Sequence, residues 1–176
     1  MKIRSFWFNF ILAGMFLAET CLLSGCKTTE EKKKAKEASE LYFHLEVNPD
    51  GSDYNAPVRI YRAKPFLVNL KKDHFLDSGA MKKAEVVDVE GGFAIKITFN
   101  PQGTSLLDSI TTTYKGQRMG LLAIWSDKRW LAAPRISKRI ANGVFIFTPD
   151  CTREEADRIT NGLNNVIKKL GKPYVF

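Results

Sequence analysis

The sequence predicts an α+β fold, a mainly antiparallel sheet with two main helices packed on one face. Short segments that alternate apolar and polar residues predict the strands, and turn-forming residues separate most of them. Two longer segments carry apolar residues at helical spacing. The composition, with 44% hydrophobic and 26% charged residues, is typical of a globular protein. We therefore expect a single domain over residues 41–176, with its strands in one antiparallel layer.

Two strands open the predicted domain. Residues 41–47 alternate apolar and polar side chains, as a half-buried strand does. Residues 48–51 predict a turn, and residues 58–62 predict the second strand. Asp73 is then expected to cap a short helix over residues 74–82.

A hairpin and a helix follow. Residues 85–89 and 93–99 predict two strands joined through a turn with two glycines. Thr104 is expected to start a helix, and its apolar side chains at helical spacing are Leu107, Ile110 and Tyr114. Three more strands are predicted at residues 119–125, 130–133 and 144–147, the last of them buried.

The last helix has the strongest sequence signal. Thr152 and Glu155 fit a capping box, in which each side chain bonds the other residue's backbone N–H. An apolar stripe at helical spacing predicts a face buried in the core, and it comprises Ala156, Ile159, Leu163, Val166 and Leu170. Gly171 and Pro173 are expected to end the helix.

The N-terminus has the pattern of an export signal. Lys2 and Arg4 precede an apolar stretch over residues 6–18, which is too short for a hydrocarbon core that needs about 20 residues. Leu23-Ser24-Gly25-Cys26 follows and resembles the lipobox of bacterial lipoproteins. The small residues Ser24 and Gly25 admit the backbone to the signal peptidase, and the Cys26 thiol carries the lipid. The alternatives are an ordinary cleaved signal or a cysteine that falls at this position by coincidence.

These patterns predict removal of residues 1–25 and a lipid anchor at Cys26 that attaches the chain to the membrane. Lys27, in place of an Asp, favours the outer membrane facing the periplasm under enteric-type sorting. Residues 26–40 contain no large apolar residue, so they are expected to form a charged tether. Its residues 27–40 reach about 49 Å when fully extended.

Charge and cysteine content narrow the function classes. In a cytosolic protein, the formal net charge of +8 would suggest a nucleic-acid partner. An exported domain meets lipid, cell wall and unfolded polypeptides instead. We therefore expect no nucleic-acid partner. Cys21 leaves with the signal and Cys26 takes the lipid, so Cys151 has no internal partner and a disulfide framework is excluded.

The order of motifs over residues 93–164 resembles one family. An alternating strand leads to Gly103 and a helix, then to Gly116-x-Arg118-x-Gly120 before an apolar strand. The remaining matching segments are Ala133-Pro134-x-Ile136, Ile140-x-x-Gly143 and Thr152-x-Glu154-Glu155-Ala156. This pattern, assigned to residues 83–170, resembles the periplasmic P1 head subdomain of SecD, part of the SecDF protein-export machinery.

The resemblance implies an α+β domain without an active site, which contacts translocating polypeptides or translocon components. The chain departs from the family before its last helix, where Phe147-Thr148-Pro149-Asp150-Cys151 stands in place of a usual glycine. We also expect no membrane-spanning helix after maturation. The proton-driven mechanism of SecDF, which uses ionisable residues in membrane helices, is therefore not expected here.

Catalytic and cofactor chemistry have little support in the sequence. His44 and His74 lack metal-ligand spacing, and neither a phosphate loop nor a nucleophile elbow is present, so no metal or cofactor is expected. Cys151 precedes a helix N-terminus, which favours a lower thiol pKa, but no histidine is placed as its base. We expect a protein that is not an enzyme.

One segment suggests a binding surface. Trp125 and Trp130 flank a predicted hairpin, and basic residues follow in sequence. The candidate surface comprises Trp125, Trp130, Arg129, Arg135 and Arg139, and the alternative is that the tryptophans belong to the core. The leading hypothesis is a membrane-tethered binding module for exported polypeptides. The second is an envelope structural or adaptor lipoprotein that binds cell-wall or anionic polymer.

Overall fold

The computed structural model describes Lys34 and residues 36–170. The predicted signal peptide, the lipobox residues Leu23, Ser24 and Gly25, the lipid site Cys26 and the helix stop at Gly171 and Pro173 lie outside the described residues.

Within the described residues, eight strands, all in antiparallel pairs, form two sheets. A five-stranded sheet has the order β2-β3-β1-β6-β7, and a three-stranded sheet has the order β4-β5-β8. The strands are β1 Glu40–Glu46, β2 Asn55–Ile60, β3 Phe66–Leu76, β4 Met81–Val89, β5 Gly92–Phe99, β6 Met119–Ile124, β7 Lys128–Ala132 and β8 Val144–Phe147. The predicted α+β class is confirmed, but two sheets replace the single predicted layer.

Two helices complete the part of the fold that the structure describes. Helix α1 spans Pro101–Thr113, and helix α2 spans Arg153–Leu170. The capping box of α2 is present, since the Thr152 N–H donates to Glu155 Oε2 over 3.0 Å and the Glu155 N–H donates to Thr152 Oγ1 over 3.2 Å. Helix α1 begins three residues before the expected Thr104, because Pro101 suits the first helical turn and Asn100 caps it through the Gly103 N–H.

The main core brings together the two sheets and both helices. Phe43 of β1 contacts Phe99 of β5 and Phe145 of β8 in edge-to-face geometry, with ring centroids 5.7 Å apart in each pair. Leu107 of α1 and Leu163 of α2 are fully buried in the same cluster. Both helices therefore pack onto one shared core.

A second, smaller core lies on the opposite face of the five-stranded sheet. Ile60, Val68, Leu70 and Ala133 are buried there, and the half-buried Trp130 packs against them. The sheet curls so that its outer strands β2 and β7 approach each other around this cluster. The two faces of this sheet therefore pack against separate apolar clusters.

The predicted helix over residues 74–82 is wrong. Strand β3 continues to Leu76 because it pairs with β1, with His74 opposite His44. A single 3-10 turn, Ser78–Ala80, then leads directly into β4. Asp77 rather than Asp73 caps this turn, accepting a 2.8 Å hydrogen bond from the Gly79 N–H. Pairing with β1 thus outweighs the local helix signal.

The folded domain begins before the predicted boundary at residue 41. The Asn165 amide donates to the carbonyl oxygens of Lys34 and Glu37 over 2.8 and 2.9 Å. Arg158 pairs with Glu37 at 3.3 Å, and Ser39 is only 2% exposed. The last part of the predicted tether therefore packs on α2. Within the described residues, no helix has the length and apolar character needed to cross a membrane.

Candidate functional site

The edges of the two sheets differ in how their backbone groups are covered. At the β4 edge, the Asn164 side chain accepts from the Ala84 N–H over 2.9 Å and donates to the Ala84 carbonyl over 2.7 Å. At the β7 edge, the Asp150 N–H donates to the Leu131 carbonyl over 2.8 Å. The β2 edge contains Pro57, which has no N–H to offer a further strand. Three of the four edges are thus covered or interrupted.

Strand β8 presents the fourth edge. It pairs with β5 on one side, and its other side opens on a groove. Phe145 and Phe147 are buried in the main core, but Ile146 is 52% exposed. The expectation of a buried strand over residues 144–147 is therefore wrong for one face, since Ile146 points away from the core.

Two adjoining cavities form the groove along β8, and they share Pro134 and Ile146. The first has a volume of about 590 Å³ and lies between β8 and the segment of residues 134–142. The second, of about 430 Å³, has an uncharged lining that includes Tyr61 and Phe147. The two cavities therefore flank Ile146.

Three cations, and no acidic residue, line the first cavity: Arg135, Lys138 and Arg139. Arg139 pairs with both carboxylate oxygens of Asp108 on α1, and this contact lowers the pKa of Asp108. Arg135 donates to the Gly116 carbonyl. Two of the cations are therefore held in place by neighbouring elements. The cavity has a basic rim.

The structure separates the five residues of the candidate Trp/basic surface. Arg135 and Arg139 line the groove, whereas Trp125 and Arg129 lie at the start of α2. The Arg129 guanidinium lies 4.9 Å from the Trp125 ring centre, and it contacts Glu155 of the capping box at 3.2 Å. The Thr152 N–H and Arg129 together lower the pKa of Glu155. Arg129 thus connects β7 to the start of α2, and its guanidinium packs against the Trp125 ring.

Trp130 lies on the other face of the sheet, in the small core. Its ring centre is 5.1 Å from that of His44, whose ring centre is 6.2 Å from that of His74. Neighbouring residues of a strand point to opposite faces, so Arg129 and Trp130 cannot serve one surface. The sequence-based prediction did not include the exposed edge at Ile146. The available signal for this edge was an apolar residue on the solvent face of a short strand.

Two other kinds of candidate chemistry, a reactive thiol and a metal site, have little support among the described residues. Burial, followed by the nearby Glu155 charge, raises the pKa of the Cys151 thiol to about 11, the reverse of the shift expected from a helix N-terminus. Among the described residues, no group of three or more His, Cys, Asp or Glu side chains is arranged to hold a metal ion.

Two solved structures share this fold. One is a structure of SecDF, described as a membrane component that enhances protein export: it has a TM-score of 0.54 at 17% identity, over 81% of this chain and 71% of that chain. The other is SecDF in its super-membrane-facing form, with a TM-score of 0.56 at 17% identity, over 79% of this chain and 21% of that chain. The comparison shows that the chain has the fold of a SecDF segment.

No curated protein matches the chain. The family model of the SecDF P1 head subdomain matches residues 56–165, more than half of the sequence and nearly all of the described strands and helices. The predicted resemblance to the P1 head is therefore confirmed, and the match begins well before the predicted residue 83. This chain belongs to the SecDF P1 head subdomain family.

Proposed function

We propose that this protein is a lipid-anchored, non-enzymatic binding module of the cell envelope that assists protein export by contacting translocating polypeptides. The observation that carries the proposal is the groove along β8 in a chain of the SecDF P1 head family. A related structure is of a component that enhances protein export, although the chain spans only 21% of one such SecDF structure. The proposal therefore concerns polypeptide binding alone and does not extend to the activity of the rest of the SecDF machinery.

The anchor is the part of the proposal that rests on sequence alone. Lipidation at Cys26 would hold the domain at the periplasmic face of the outer membrane, or of the inner membrane next to the translocon. Because Lys34 is fastened to α2, at most about 30 Å of extended chain separates Cys26 from the folded domain. The groove therefore remains close to the anchoring membrane.

Photo-crosslinking in cells tests the proposal. A photoreactive residue is placed at Ser137 or Thr148, exposed positions that line the two cavities, and a matched one at Lys168 on the exposed end of α2. Captured proteins are identified by mass spectrometry. We expect many newly exported polypeptides, or translocon subunits, from the groove positions and few from Lys168. Equal capture from all three positions would contradict the proposal.

A second candidate function is an envelope adaptor that binds cell-wall or anionic polymer. The basic rim of the first cavity favours it, because Arg135 and Lys138 have no acidic partner among the described residues, whereas Arg139 is paired with Asp108. Polymer binding through these cations would weaken steeply with salt. Pull-down with isolated cell-wall material at low and high salt separates the two functions, since polypeptide binding through the apolar cavity would persist at high salt.

A further inference from the structure

We propose that an extended polypeptide segment binds by adding to β8 as a fourth strand of the three-stranded sheet, with its backbone paired to Ile146. This inference rests on the proposed function and specifies its binding mode. It follows from three features of the described residues: the direction of the β8 backbone groups, the space beside them and the charge of the groove.

The ladder between β5 and β8 fixes which backbone groups face outward. The Phe99 N–H donates to the Gly143 carbonyl over 2.9 Å, so these two residues form a hydrogen-bonded pair. Pairs alternate along an antiparallel ladder, so Phe145 and Phe147 direct their backbone groups at β5. Val144 and Ile146 therefore direct theirs at the groove.

The opposite edge of the same sheet supports this assignment. The same alternation places the Ala84 N–H and carbonyl on the outer side of β4, and both are bonded there by Asn164. At the β8 edge, Asn142 Oδ1 accepts from the Val144 N–H over 3.1 Å. Among the described residues, the Ile146 N–H and carbonyl have no hydrogen-bond partner, so they are the pair that an added strand would bond.

The groove has room for that strand. Strands in a sheet lie about 4.8 Å apart, and the two cavities flank Ile146 where the next strand would run. The facing wall includes Pro134, which has no N–H with which to close the gap. β8 thus has an unfilled neighbouring position.

The lining of the groove defines the class of segment. The second cavity has no charged lining residue and includes Val89, Ala94 and Phe147, so it suits apolar side chains. Of the three cations that line the first cavity, Arg135 and Lys138 have no acidic partner among the described residues, so the cavity disfavours lysine and arginine and favours neutral or acidic side chains. The expected ligand is an unfolded segment with alternating apolar residues at one end and acidic or neutral residues at the other.

The decisive variant is Ile146→Pro, because proline removes the outward N–H and leaves the inward bonds of Phe145 and Phe147 intact. Its matched control is Ile146→Thr, which changes the same side chain and keeps the N–H. Binding of a fluorescent peptide of about ten alternating apolar residues with an acidic end is measured by anisotropy, using the full chain in detergent. Thermal unfolding monitored by circular dichroism verifies the fold of each variant.

We expect Ile146→Pro to weaken binding about tenfold or more and Ile146→Thr to change it little. N-methylation of alternate peptide residues provides a test that needs no variant, because one alternating set should abolish binding and the other should not. If the wild-type protein binds the peptide but Ile146→Pro and both methylated sets bind equally well, strand addition is overturned and the groove function stands. If the wild-type protein binds no extended peptide, the proposed function itself fails.

Discussion

At the residue scale, Gly162 shows why one position of α2 has no side chain. A Cβ built there would lie 2.3 Å from Ser39 Oγ and 2.7 Å from the Ser39 backbone nitrogen. Both distances are far below van der Waals contact. The helix can therefore pack against the start of β1 only if this residue is glycine.

We predict that Gly162→Ala lowers the free energy of unfolding by about 1–3 kcal/mol, because the backbone of Ser39 must move. Elsewhere in a helix interior the same change stabilises by up to about 1 kcal/mol. Asn161→Ala, on the adjacent residue of α2, is the control and should be near neutral. Urea unfolding measures both variants, and a Gly162→Ala protein more stable than wild type would refute the predicted close contact.

His44 gives the domain a pH dependence. Its side chain is buried, Nδ1 bonds the Lys71 carbonyl over 2.9 Å, and Nε2 is buried without a partner among the described residues. Burial, reinforced by the charges of His74 and Lys128, lowers the pKa of His44, although the Lys71 carbonyl and Asp73 act in the opposite direction. The charged form of this histidine is therefore disfavoured in the folded state.

We predict that stability is highest above about pH 6.5 and falls as the pH drops from there toward the lowered pKa of His44, because the unfolded chain binds the proton first. His44→Asn keeps a donor for the Lys71 carbonyl and removes the titration. The difference in unfolding free energy between wild type and His44→Asn should shift against wild type between pH 8 and pH 5.5. A difference independent of pH would show that His44 is not the cause.

At the scale of elements, the β4 edge is completed by a helix rather than by a strand. Asn164 projects from α2 and makes both bonds that a neighbouring strand would make to Ala84. Exposed strand edges promote pairing with other chains, so this amide also protects the sheet. The three-stranded sheet thus has one edge that Asn164 covers and one open edge, at β8.

We predict that Asn164→Ala destabilises the domain by about 1–3 kcal/mol, since it leaves the Ala84 N–H and carbonyl without partners. The variant should also aggregate more readily, which light scattering during thermal unfolding would detect. Asn161→Ala again serves as the control on the same helix. Equal stability and solubility of the two variants would contradict the role given to Asn164.

At the scale of the whole molecule, the folded part begins at the end of the predicted tether. Asn165 and Arg158 hold the chain at Lys34 and Glu37, so α2 fixes where the N-terminal segment leaves the domain. The proposed connection to the membrane is correspondingly shorter than the sequence suggested.

We predict that Cys26→Ala yields a protein that carries no lipid and leaves the membrane fraction, with an unchanged thermal unfolding midpoint. We expect the fold to be unaffected, since the apolar clusters of the described residues lie within residues 41–167. Palmitate labelling and fractionation after cell lysis measure the effect. A variant that remains membrane-attached, with the size of wild type, would contradict the lipid anchor.

The sequence by itself determined the features that local patterns encode. Alternation identified most of the strands, the capping box placed the start of α2, and the spacing of residues 93–164 gave the correct family. Each depends on residues close together in the chain, where strand and helix periodicities differ. The error at residues 74–82 arose where pairing with a distant strand decided the outcome, and the error at Ile146 arose where packing left one face of β8 exposed.

Only the tertiary structure decided how the strands divide between two sheets, which edge remains open, and where the binding candidates lie. β1 pairs with β6 across more than 70 residues of sequence, and the β7 edge is covered by Asp150. Trp125 and Trp130 are five residues apart in the chain but pack in different apolar clusters. Side-chain periodicity shows which residues can share a face of a strand, but packing between distant segments determines what that face contacts and whether an edge meets protein or solvent.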